Sequence, residues 1–200
     1  MPVPAIENKR HADHPIHPVF TSRWSPRSFS DATITEEELL TLLEAARWAP
    51  SAFNAQPWRF SYALRGDPMF QPLVDSMAPM NQQWAKHASA LIALSSYNLV
   101  IPPGATEAVP NGSHELDSGA AWACLALQAT FSDWQLHGLG GINFEQAALA
   151  INLPAEHQLH MLIAVGKRGD PSVLPDALRQ RELPNPRKPI RELAIRGKFL

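Results

Sequence analysis

Nineteen prolines in 200 residues decide where regular structure can form. Each one holds φ near a single value and removes a backbone donor. They gather in the first 26 residues, around Pro102–Pro110 and from Pro171 to Pro189. The stretch from Asp170 onward therefore reads as extended chain of the polyproline kind. An extended tail on a small domain must lie on something, and another subunit is a natural support.

Between these proline clusters the apolar pattern predicts helices and strands. A helix is expected from about Glu36 to Trp48, where Thr35 and Glu38 form a capping box, Leu39, Leu42, Leu43 and Ala46 share a face, and Pro50 stops the run. Strands are expected at Trp58–Leu64, Ala90–Tyr97 and about His160–Gly166, with one or two short helices between Pro68 and His87. The longest helix should span roughly His114 to His137, ending at Gly138, Gly140 and Gly141. Ala120, Ala121, Cys124, Leu127, Ala129 and Phe131 make it apolar around most of its circumference, which implies deep burial. A short helix near Phe144–Ile151 follows. The pattern is a mixed α+β domain with few strands and a central helix.

An apolar fraction of 45% over this length suits one domain, residues 1–200, with residues 1–18 as a flexible N-terminal tail and 170–200 as the extended C-terminal one. The net charge of −2, without long runs of one sign, argues against a general attraction to nucleic acid or anionic membrane. The longest apolar runs, near Ala88–Leu94 and Met161–Val165, are too short to cross a bilayer, and the first residues lack a signal-peptide core. A cytoplasmic protein is expected. The lone Cys124 excludes an intrachain disulfide and reads as a buried, inert thiol.

Two segments carry chemistry. In Arg23-Trp24-Ser25-Pro26-Arg27-Ser28-Phe29, two arginines flank a serine, so a short turn can aim two guanidinium groups and a hydroxyl at one anion such as phosphate. The same residues also fit a solvated basic turn. In Pro50-Ser51-Ala52-Phe53-Asn54-Ala55-Gln56-Pro57-Trp58, two prolines hold Ser51, Asn54 and Gln56, which can hydrogen-bond the edge of a heteroaromatic ring. Trp58 and Phe60 read as core residues.

Together these segments resemble the flavin-binding segments of the nitroreductase family, an Arg-x-Ser-x-Arg/Lys-x-Phe turn followed by Pro-Ser-x-x-Asn-x-Gln-Pro-Trp. The resemblance implies a three-layer sandwich with a mostly antiparallel sheet flanked by helices, in an intertwined homodimer whose core holds the long helix. It places Arg23, Trp24, Ser25 and Arg27 at the FMN phosphate and pyrimidine edge, with only a backbone contact implied for Trp24. Ser51, Ala52, Phe53, Asn54 and Gln56 match the loop lent to the flavin by the second subunit. Asn81 is similar to an asparagine set against the ring. Gly140, Gly141 and Ile142 resemble a loop that approaches flavin N5, where glycine admits backbone N–H groups closely. Arg187 matches an arginine that reaches the phosphate. Asn185 stands where some members have lysine, and Lys188 is a candidate to supply that charge.

The implied function is FMN-dependent oxidation of NADPH or NADH, with ping-pong hydride transfer to a small-molecule electron acceptor such as a nitroaromatic or quinone. The flavin carries the chemistry, so no catalytic side chain is assigned. Phe53, Trp84 and Met77 are candidates to stack on substrate and equally candidates for the core. Two alternatives stay open: a flavin-binding redox sensor or carrier without turnover, or another flavin reaction such as a dehydrogenase or dehalogenase. The spacing His11-x-x-His14-x-x-His17 is interrupted by Pro15 and Pro18, and His157 and His160 lack a completing ligand pattern, so no metal site is expected. Gly166–Asp170 lacks P-loop spacing, and no Ser/His/Asp or Cys/His arrangement stands out.

Overall fold

A computed structural model describes residues 7–198. Along the chain run α1 (Val19–Ser22), α2 (Glu36–Arg47), β1 (Trp58–Leu64), α3 (Phe70–Asp75), α4 (Pro79–Ala85), β2 (Ala90–Tyr97), β3 (Leu99–Val100), β4 (Val109–Pro110), α5 (His114–Phe131), β5 (Gln135–Leu139), α6 (Phe144–Ala150), β6 (His157–Gly166), α7 (Asp176–Arg179) and α8 (Ile190–Leu193). Four strands form an antiparallel sheet in the order β1-β2-β6-β5, and β3 and β4 make a separate short hairpin.

The central strands β2 and β6 are buried on both faces, so they read as nearly continuous apolar runs. Alternation then sends side chains to two cores. Leu91, Ala93, Leu162 and Ala164 meet α3, α4 and α6 through Leu73, Val74, Trp84 and Ala147. Ala90, Ile92, Leu94, Ile163 and Val165 meet α2 and α5 through Leu39, Leu42, Ala46, Ala121, Leu125 and Ala129. The outcome is the expected three-layer sandwich. The capping box at Thr35 and Glu38 is formed as expected, with Glu38 N–H donating to Thr35 Oγ1 at 3.2 Å and Thr35 N–H to Glu38 Oε2 at 2.8 Å.

The long helix is shorter than expected. α5 stops at Phe131, and the residues after it form β5, a strand absent from the sequence reading. Asp133 adopts φ 58° while Trp134 N–H donates to Ala129 O at 2.8 Å, which is a Schellman stop with aspartate in the place usually held by glycine. Gly138 lies inside β5 because a Cβ there would stand 3.0 Å from Met161 Sδ and 3.4 Å from the Trp122 ring. Nor is α5 buried all round: Asp117, Ala121, Leu125 and Ala129 face inward, whereas Leu116 and Phe131 are exposed, and Cys124 is only half-buried.

β6 begins at His157, three residues earlier than expected, and carries a bulge. Leu94 pairs with Met161 but Ser95 pairs with Leu159, which leaves His160 as the extra residue. The C-terminal stretch is not continuously extended: a 3-10 turn at Pro171–Val173, α7 and α8 interrupt it, and Leu174, Leu178 and Glu182 are buried. The N-terminal stretch reaches this tail. Asp13 Oδ2 accepts from Ile190 N–H at 2.7 Å, and Arg10 Nε donates to Asn185 O at 2.7 Å. Residues 1–6 of the expected flexible tail lie outside the described residues.

The turn from Arg23 to Phe29 is seated by the end of β6. Phe29 and Arg168 form an isolated bridge, Ser30 N–H donates to Lys167 O at 2.9 Å, and Gly169 N–H donates to Ser28 O at 2.8 Å. A Cβ on Gly169 would stand 2.5 Å from the Phe29 carbonyl, backbone against backbone. Gly169→Ala should therefore destabilise the protein by about 1–3 kcal/mol. Gly112→Ala, where a Cβ meets open space, should change stability by less than about 0.5 kcal/mol. Urea unfolding of the two variants checks the contrast.

Candidate flavin-type site

A cavity of about 510 Å³ opens where α5, the end of β5 and the start of β6 meet the Arg23 turn. Arg23 and Ser25 form one side. Trp122, Ala126, Leu127 and Met161 supply apolar walls, with Phe20 at the rim, and Gly138, Leu139 and Gly140 present backbone. A planar aromatic ligand carrying an anionic end fits this mixture of surfaces.

The electrostatics ask for the anion. Arg10 Nη1 donates to the Arg23 carbonyl, and Arg187 stands close enough to Arg10 and Arg23 for its charge to act on both. Burial lowers the pKa of Arg23, and the charge of Arg187 lowers it further. Arg10 is lowered by burial, then by Arg187 and Arg23. Among the described residues no carboxylate pairs with any of the three. Three like charges converging without a counter-ion favour a bound phosphate or carboxylate. Arg23 Nη1 also donates to Ser25 Oγ at 3.3 Å, which groups the hydroxyl with the cations.

Arg27 is placed differently. Its backbone N–H and that of Ser28 donate to Glu182 Oε1 at 2.6 and 2.8 Å, and its guanidinium stands 3.6 Å from Glu182 Oε2, an ion pair longer than a hydrogen bond. Glu182 is 3% exposed, so the tail plugs a carboxylate under the turn and holds its backbone. Trp24 is buried beneath the same turn, and the second expected arginine is thus committed to a protein partner. Arg187 donates to the carbonyls of Asn185 and Pro186 at 3.3 and 3.0 Å. Lys188 lies with Arg10 and Arg187 around a second hollow of about 560 Å³ between the two terminal segments, which Phe20 also lines.

Asn81, Gly141 and Ile142 come together on the other side of the β5 end. Asn81 Nδ2 donates to Gly141 O at 3.1 Å, Ala78 N–H donates to the same carbonyl at 2.9 Å, and Ile142 bridges to Met77. A Cβ on Gly141 would stand 2.9 Å from Asn81 Nδ2. Met77 and Trp84 are core residues, which settles their role. The loop from Ser51 to Gln56 does not line the cavity of its own chain. It leans on α5, with Ala52 N–H donating to the buried Asp117 carboxylate at 3.2 Å. Phe53, Asn54 and Gln56 all have φ between 48° and 53°, and Phe53 is 69% exposed. Three residues of the loop thus hold left-handed backbone that favours glycine, and all three are exposed.

The sequence reading missed four residues here. Arg10 has no motif around it. Ser96, His114 and His160 come from two strands and a helix start, and only the β6 bulge aims His160 at the cavity. Among the described residues no group of three or more His, Cys, Asp or Glu side chains could hold a metal ion, and no helix is long and apolar enough to cross a membrane.

Comparison with known proteins places the chain among relatives of the same fold. The nitroreductase family profile matches residues 20–68, the span of the Arg23 turn, α2, the Ser51 loop and β1. A solved structure described as an oxidoreductase containing FMN is 39% identical, covers 98% of this chain and 98% of its own, and superposes with a TM-score of 0.92. A nitroreductase family protein from Streptococcus pneumoniae TIGR4 shares the fold, with a TM-score of 0.72 at 17% identity over 90% of this chain and 98% of its own. The major NAD(P)H-flavin oxidoreductase of Aliivibrio fischeri is 33% identical over 78 residues, which are 38% of this chain and 35% of that protein. The oxygen-insensitive NADPH nitroreductase of Helicobacter acinonychis (strain Sheeba) is 34% identical over 82 residues, 41% of this chain and 35% of that protein. The aligned stretch thus spans about a third of these curated relatives. The chain belongs to the nitroreductase family.

One half-buried histidine is tied to the arginine turn. His137, on β5, donates from Nδ1 to the Pro26 carbonyl at 2.9 Å and packs against Trp84 with ring centroids 4.6 Å apart. Burial lowers its pKa to about 4, and the charges of Arg27 and Arg23 add to that, against the opposing effect of the Pro26 carbonyl. An unfolded chain takes up this proton near pH 6.5 and the folded one does not. Its stabilising effect is therefore complete above pH 6.5 and declines as pH falls toward 4, at up to about 1.4 kcal/mol per pH unit. Urea midpoints should fall more steeply over this window in the wild type than in His137→Gln. Parallel curves would remove His137 as the cause.

Proposed function

We propose that the protein is an FMN-dependent NAD(P)H oxidoreductase that passes electrons to nitroaromatic, quinone or similar electron-poor acceptors. The observation that carries this reading is the uncompensated cluster of Arg10, Arg23 and Arg187 beside an apolar-walled cavity with glycine backbone at its edge. The relatives described as a flavin oxidoreductase and a nitroreductase support the same reading. When bound, FMN supplies hydride acceptance and donation. Arg23, Arg187 and Arg10 would hold its phosphate, Ser25 its polar edge, and the backbone of Gly140 would approach the ring. Trp122, Leu127 and Met161 exclude water from the apolar part.

Reduction by NADPH or NADH and oxidation by the acceptor alternate at one site, so turnover is ping-pong. The site is composite in this reading, and the chain works as a homodimer. The outward Ser51–Gln56 loop and the exposed Leu116 and Phe131 of α5 support that arrangement, because they leave one chain with an unfilled cavity side and an unpartnered apolar face. Sedimentation should give twice the chain mass.

Phosphate recognition is tested by comparing FMN with riboflavin, which lacks the phosphate. Arg23→Ala and Arg187→Ala should each weaken FMN binding by about tenfold or more, in line with loss of a charge-assisted contact, while riboflavin affinity stays within about twofold. Equal losses for both ligands would remove the phosphate from this cluster. A chain that binds neither ligand would refute the function.

A further inference from the structure

The bulge in β6 brings together three side chains that the flavin reading leaves without a task. Ser96, on β2, is fully buried, and its Oγ lies 2.7 Å from His114 Nδ1 and 2.7 Å from His160 Nε2. The two imidazole rings stand 5.8 Å apart on either side of it. His114 opens α5, and His160 is the extra residue of the bulge. In a regular strand His160 and Met161 would point to opposite faces, but both line the cavity beside Gly138–Gly140. The other ring nitrogen of His160, Nδ1, has no hydrogen-bond partner among the described residues.

Counting hydrogens constrains this group. A serine hydroxyl carries one proton, so it donates to one imidazole at most and the other ring donates to it. When His114 Nδ1–H donates to Ser96 and Ser96 donates to His160 Nε2, neutral His160 carries its own proton on Nδ1. Burial lowers the pKa of His160 and neighbouring His114 lowers it further, while Glu115 on α5 opposes them. Glu115 is itself engaged by Gln158 Nε2 at 2.6 Å, and Arg23 is the charged group facing His160 across the cavity.

We propose that His114, Ser96 and His160 form a proton relay that supplies the cavity with the proton consumed when the acceptor is reduced. The inference rests on the oxidoreductase reading above and names a task within that site. Reduction of a quinone to a hydroquinone takes up two electrons and two protons. A hydride from NAD(P)H, delivered through the cofactor, accounts for both electrons and one proton. The second proton comes from His160: its Nδ1–H bond breaks as an O–H bond forms on the product. His160 Nε2 takes the Ser96 hydroxyl proton, Ser96 takes the Nδ1 proton of His114, and solvent supplies a proton to His114 Nε2. No electrons move along the chain, every group ends neutral, and the starting tautomers return by exchange with solvent once the product has left.

The test separates proton supply from electron transfer in the FMN-loaded protein. After anaerobic reduction by NAD(P)H, reoxidation is followed by stopped flow with p-benzoquinone, which takes up protons, and with ferricyanide, which takes only electrons. Ser96→Ala and His114→Gln should slow reoxidation by the quinone by about tenfold or more, a modest share of the usual effect of a general acid. Reduction by the nucleotide and reoxidation by ferricyanide should stay within about twofold. A variant that slows both acceptors equally, or neither, overturns the relay. Nitrogen-15 spectra of the cofactor-free protein give a second readout: Ser96→Ala should shift the ring nitrogens of both His114 and His160. Unmoved resonances overturn the shared hydroxyl. A wild-type protein that takes up no FMN would instead refute the oxidoreductase reading, and the relay with it.

Discussion

Burial of β6 on both faces is the constraint on which the other parts depend. Ile163 and Val165 tie it to α2 and α5, and Leu162 and Ala164 tie it to α3, α4 and α6, so the strand cannot slip by one residue without exchanging its two cores. Both ends of the locked strand build the site. At its start the bulge turns His160 and Met161 into the cavity. Beyond its end, Gly169 lets the backbone of Phe29 pass at a distance no side chain would permit, which sets the direction of the arginine turn.

Electrostatics then divides the basic residues into two groups. Arg27 is compensated by Glu182, whose carboxylate also accepts two backbone N–H groups, and such charge-assisted bonds are worth roughly 1.5–3 kcal/mol each. That cluster is structural, a clamp between the tail and the turn. Among the described residues Arg10, Arg23 and Arg187 have no such partner, and the charge of Arg187 disfavours the charged forms of the other two. The contrast separates a turn held by its own carboxylate from a cluster whose charge faces the cavity side of the same turn.

Much of this was legible in the residues. The capping box and the Pro50 stop defined α2, and the apolar runs defined β1 and β2, because local chemistry and tertiary packing agree there. The Arg23 turn and the Ser51 loop were visible as motifs. β5 was hidden because Asp133 took the left-handed position where a glycine would have announced the end of α5. Arg10 was hidden because its importance comes only from the docking of one terminal segment on the other. The Ser96–His114–His160 group was hidden because a bulge changes the phase of a strand without changing its composition. Glu182 shows the same limit: its role depends on a contact with residues 154 and 155 positions away.

The central claim is that this chain binds FMN and passes it electrons from a pyridine nucleotide. The most direct measurement is the visible absorption of the FMN-saturated protein before and after anaerobic addition of NADPH, and separately of NADH. The account predicts flavin absorption that bleaches with at least one nucleotide and returns when a quinone is admitted. Flavin that stays oxidised with both nucleotides would contradict the oxidoreductase reading and leave a flavin-binding sensor or carrier in its place.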